Sequence, residues 1–154
     1  MNATVTSPQL WQRWRQSERM GLLAAFEDST SGTRVKEFCK ALSRGLGSHC
    51  RIVEHVWLFS TFRLRELQEI AAEEASASDL VIISAQQQSE LPAEVKSWID
   101  LWLRQEIRRP ATLLALLDPD YEGAPTPVLN YLQQVARQGN MEFLVVAEDL
   151  PEFY

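Results

Sequence analysis

The chain holds two cysteines, Cys39 and Cys50, in 154 residues. That is too few for a disulfide framework or a cysteine metal site. Its two histidines, His49 and His55, have no Asp or Cys at a spacing that suggests a catalytic triad. No apolar run reaches the ~18 residues a membrane span needs. The opening MNATVTSPQLWQRW has no basic start leading into an apolar stretch, so no secretory signal is expected and a cytoplasmic location is. Basic residues are outnumbered 15 to 21, for a net charge of −6. That balance argues against non-specific nucleic-acid binding, which needs a basic face to release counterions.

What is present suits one globular domain: 45% hydrophobic and 23% charged residues. Residues 1–20 carry Arg13, Arg15 and Arg19 against Glu18, so the body is more acidic than the total suggests. Ser7-Pro8 makes a helix start, a hydroxyl cap followed by proline at the first helical position. Leu10, Trp11 and Trp14 then share a face, and Gly21 closes the segment. The expectation is an amphipathic appendage over residues 1–20 and a compact domain over 21–154.

From Leu22 onward, short unalternating apolar runs recur: 22–26, 80–83, 113–117 and 143–147. Runs of this kind suit strands buried on both faces of a parallel sheet. Residues 51–59 form a fifth candidate, interrupted by Glu54 and His55 and therefore more comfortable at an edge. Between the runs lie helical stripes. They are Val35, Phe38, Cys39 and Leu42; Leu64, Leu67, Ile70 and Ala71; Val95, Trp98, Ile99 and Trp102; and Val128, Leu132, Val135 and Ala136. Pro92 and Thr126-Pro127 mark helix starts and Gly139-Asn140 a helix end. Strict alternation with right-handed crossovers gives a doubly wound α/β sheet. A weak second strand at the edge favours the order 2-1-3-4-5. The ligand crevice of such a sheet lies where that order reverses, which selects residues 27–34, 84–91 and 118–126.

In the first of these segments, Ser29-Thr30-Ser31-Gly32-Thr33 resembles the phosphate loop of the flavodoxin-like family, Ser/Thr-x-Thr-Gly-x-Thr. Arg34 stands where the family has a last threonine. Leu91-Pro92, Lys96 and Trp98-Ile99-Asp100 are similar to the helix after the third strand in flavodoxins and FMN reductases. Asp118-Pro119-Asp120-Tyr121 resembles the flavodoxin loop beside the isoalloxazine. The intervening Ala85-Gln86-Gln87-Gln88-Ser89 lacks the aromatic ring the family places against the flavin. The resemblance implies a flavodoxin-like three-layer sandwich with an added N-terminal helix. It also implies an FMN site made of Ser29, Thr30, Ser31, Gly32, Thr33, Arg34, Ser84, Gln86, Asp120 and Tyr121, with Tyr121 stacking and a role in electron transfer. The receiver domains of phosphorelays share the strand order. They need an aspartate where Ser84 stands and a lysine after strand five, where this chain has Ala147-Glu148-Asp149.

No nucleophile–base set is visible, and whether the chain is an enzyme stays open. Cys39, on the stripe with Phe38 and Leu42, reads as a buried structural thiol. The second functional expectation is a cofactor-free interaction or regulatory module. It would dock through Trp11, Trp14 and the N-terminal helix, or through the acidic loop face.

Overall fold

The computed structural model describes residues 8–85, 90–105, 108–118 and 126–147, with side chains from residue 12 onward. The elements alternate as the apolar runs require. They are α1 (Pro8–Gln16), β1 (Arg19–Phe26), α2 (Ser29–Leu46), β2 (Arg51–Leu58), a 3-10 turn (Phe59–Arg63), α3 (Arg65–Ser76), β3 (Leu80–Ser84), α4 (Ala93–Leu103), β4 (Thr112–Leu116), α5 (Pro127–Gln138) and β5 (Glu142–Val146). The five strands form one parallel sheet in the order β2-β1-β3-β4-β5. This is the flavodoxin-like α/β topology. Among the described residues, no helix is long and apolar enough to cross a membrane.

Alternate side chains of each strand leave the sheet on opposite faces, and two cores result. One packs Leu23, Val81, Leu113 and Val145 under α3, α4 and α5. The other packs Leu22, Ile82, Leu114 and Val146 with Val35, Phe38, Cys39 and Leu42 of α2. β3 and β4 are buried along their whole length, which is why they read as unbroken apolar runs. In the first core the Phe62 and Trp98 rings stack with centroids 4.6 Å apart, and Trp102 meets Trp98 edge-on. The helix boundaries follow local chemistry. Thr126 caps α5 by accepting from the Leu129 amide at 3.2 Å, and Pro127 opens the helix. Gly139 closes it, with Asn140 in the left-handed region at φ 55°.

Three expectations change. β1 begins at Arg19, so Gly21 lies inside the strand and does not end a helix, and Met20 is fully buried. At Gly21 a Cβ would stand 3.3 Å from the Ser78 Cα, a tight contact with backbone. Its N–H donates to Asp79 Oδ2, and Asp79 returns a bond to its carbonyl, both at 2.8 Å.

The stripe of α3 is rotated from the expected one. Gln68, Ala71, Ala72 and Ala75 face inward, while Leu64 and Ile70 are 62% and 48% exposed. The physical reason is Gln68. Its amide donates to the Phe62 carbonyl at 2.6 Å and accepts from Ser97 Oγ at 3.1 Å. Those bonds satisfy a buried polar group and turn the small alanines toward α4.

Trp14 is the third change. It is only 4% exposed and belongs to the α2-side core, so it is not a free anchor for a partner. Trp11 lies among the residues whose side chains are not described. Trp14→Ala should lower the unfolding free energy by about 3 kcal/mol in urea denaturation. An unchanged midpoint would mean that α1 is a detachable appendage.

Candidate functional site

Because α2 follows β1 on one face and α4 follows β3 on the other, the strand order reverses between β1 and β3. The crevice at their carboxyl ends is the place to look for a ligand. The connection from β1 to α2 is only two residues long, Glu27 and Asp28. The expected phosphate loop is therefore not a loop, since Ser29 to Arg34 already form the first turns of α2.

This turn satisfies its own donors. The Asp28 carboxylate accepts from the Ser31 amide at 2.9 Å. Ser31 Oγ in turn accepts from the amides of Glu27 and Asp28 at 3.0 and 2.9 Å. It is a reciprocal capping box with serine at the third helical position. Thr33 Oγ1 donates to the Ser29 carbonyl at 2.9 Å. On the other side of the crevice, Ser84 Oγ donates to the Ser31 carbonyl at 3.3 Å, and the Glu27 amide donates to the Ser84 carbonyl at 3.1 Å. The turn is thus stitched to the end of β3. Thr30, Ser31, Arg34, Ser84, Ala85 and Asp118 line a small cavity of about 10 Å³ there.

The charge at this end of the crevice disfavours a flavin phosphate. A carboxylate already sits where the anion would meet the helix N-terminus. Two like unit charges about 4 Å apart near a protein surface repel by about 4 kcal/mol. Glu27 and Asp118 add negative charge beside Asp28, and Arg34 offsets part of it. Gln86, Asp120 and Tyr121, expected at the ring end of the site, lie outside the described residues.

Helical periodicity divides the remaining expected residues between two places. Thr30, Ser31 and Arg34 face the crevice with Ser84. Ser29, Gly32 and Thr33 face away from it, toward β2. There they line a second and larger concavity of about 380 Å³, completed by Phe26, Val35, Lys36, Glu54 and Val56. Gly32 has a packing reason of its own: a Cβ would come within 2.9 Å of the Phe26 ring. Sequence reasoning missed this groove. Its signal was Val56, an apolar residue in a strand already placed at an edge.

Neither thiol offers a nucleophile. Burial, then the charge and hydrogen bond of Glu54, push the Cys39 thiol well above its ordinary range. Burial and Asp79 push Cys50 the same way. A thiolate is therefore disfavoured at both. Among the described residues, no three His, Cys, Asp or Glu side chains group as a metal-ligand set.

Gly32→Ala should destabilise the protein, and Phe26→Ala should relieve the clash. In urea melts the double variant should lose less stability than the two single losses added together. Strict additivity would show that the ring is not what demands the glycine. No family model matches this chain, and no curated protein does either.

Proposed function

We propose that this chain is a cofactor-free member of the flavodoxin-like fold that works as a protein-interaction module. It docks an extended segment of a partner protein along β2. The observation that carries the reading is the Asp28–Ser31 capping box, which places the protein's own carboxylate where a cofactor phosphate would bind.

The docking side is supported by the sheet edge. β2 pairs only with β1 among the described strands, so its outer backbone groups face away from the sheet along eight residues. Long edges of this kind accept an added strand, with main-chain hydrogen bonds supplying affinity and adjacent pockets supplying specificity. Val56 and Leu58 are 49% and 37% exposed on that strand. The groove beside Val56 offers the Phe26 ring and Val56 to an apolar side chain. Lys36 and Glu54 stand at the same groove as opposite charges for flanking residues of the segment. The edge is held firmly from the other face. Trp57 Nε1 donates to Glu74 Oε1 at 2.8 Å, and His55 Nδ1 lies 3.4 Å from Glu74 Oε2. A rigid edge loses little conformational freedom on docking.

Two measurements test the reading. In a flavin-fluorescence titration, FMN should show no saturable quenching up to high micromolar protein; saturable quenching would restore the electron-transfer reading. Selection from a displayed random-peptide library should enrich extended sequences with an apolar residue between charges. Val56→Asp should weaken the selected peptides by about tenfold or more, the scale of burying one apolar side chain. Selected peptides that bind Val56→Asp as well as the wild type would remove β2 as the docking edge.

A further inference from the structure

In a parallel sheet every strand starts at the same end, and every helix ends there too. That geometry gathers residues far apart in sequence. The starts of β1 and β2 and the approach to β4 carry Arg19, Arg51, Arg108 and Arg109. The helix ends at this same side carry Arg13, Arg44, Arg104 and Arg137. All eight are exposed, and none forms a salt bridge among the described residues. At the opposite end the pattern reverses: Arg63, Arg65 and Lys96 are paired with Glu94, Glu69 and Glu90. Among the described residues, Glu18, Glu73, Glu74, Asp79, Asp100 and Glu142 also lie toward the arginine end, so the eight arginines outnumber those carboxylates in a chain whose total charge is −6.

The helix dipole accounts for part of this, since cations are favoured at helix C-termini. It accounts for Arg109 as well, whose guanidinium donates to the Gln138 carbonyl at the end of α5 at 3.5 Å, but not for Arg19, Arg51 and Arg108. Arg19 and Arg51 are register partners on adjacent strands and so present two guanidinium groups side by side.

We infer that the amino-end face of the sheet binds an acidic, carboxylate-rich segment of a partner protein. Four features favour that partner. The face is built from arginines, whose planar fork matches a carboxylate through two parallel hydrogen bonds. The helix termini here present carbonyls, not the amide donors that cradle phosphates. Among the described residues, the large exposed hydrophobics are Val56, Leu58, Leu64 and Ile70, and none is an aromatic on which a nucleotide base would stack. The net charge does not forbid the contact. Five-residue strands already separate the two ends by about 17 Å, and screening at physiological salt acts over about 8 Å. The inference uses a different surface from the β2 edge and does not depend on it.

The test is fluorescence anisotropy with a labelled oligoglutamate peptide, using duplex DNA and phosphatidylserine vesicles as competing probes. The wild-type chain should bind the peptide at low salt and weaken as salt rises. Arg19→Ser, Arg51→Ser, Arg108→Ser and Arg109→Ser combined should reduce affinity at least tenfold. Arg63→Ser with Arg65→Ser, at the other end, should leave it unchanged. Should the fourfold variant lose its circular-dichroism melt, the two pairs Arg19/Arg51 and Arg108/Arg109 are measured separately, each with an expected partial loss. No binding at low salt, equal losses in the control pair, or tighter binding of DNA or vesicles than of the peptide would each overturn the assignment.

Discussion

The carboxylate of Asp28 on the amide of Ser31 is the contact on which the reading of this molecule turns. It fixes where α2 begins and shortens the turn after β1 to two residues. It also brings Ser31 to the end of β3, where Ser84 locks the two segments together. An N-cap of this kind is worth about 1 kcal/mol, a modest quantity beside the burial energy of the sheet. Its importance is positional, because it occupies the helix N-terminus that follows β1 at the crevice.

The same parallel topology explains both surfaces that remain. Strand order leaves β2 with one outer edge, and strand direction collects helix ends and strand starts on one side. A chain whose overall charge is acidic thereby acquires a local basic face, since screening makes local balance matter more than the total. Arg63, Arg65 and Lys96 form salt bridges and the strand-start arginines form none among the described residues, a difference in the neighbours the fold supplies and not in their chemistry.

The architecture was legible from the apolar runs because β3 and β4 are buried on both faces, and a short run of Leu, Val and Ile has few other uses. Three of the four helix stripes were legible for the same reason. The stripe of α3 was not, because Gln68 is polar by type yet buried by its bonds to Phe62 and Ser97. Gly21 reads as punctuation in the sequence but lies inside β1, and Gly32 has a packing reason that spacing does not reveal. Each is set by a close approach from a segment distant or folded back in space, Ser78 and the Phe26 ring. Of the hydroxyl residues after β1, Thr30 and Ser31 stand at the crevice with Ser84. What sequence spacing did not reveal is that 3.6 residues per turn sends Ser29, Gly32 and Thr33 to one face of α2 and Thr30, Ser31 and Arg34 to the other. The arginine face draws on α1, β1, α2, β2, α4, α5 and the approach to β4, and becomes one surface only in three dimensions.

The central claim is that the helix N-terminus at the switch point is closed by the chain's own carboxylate. Its most direct test is an amide NMR titration with inorganic phosphate, following Ser29, Thr30 and Ser31. The account predicts no saturable shift of these three resonances into the millimolar range. A saturable shift confined to them would show that the turn opens to an anion, and would contradict it.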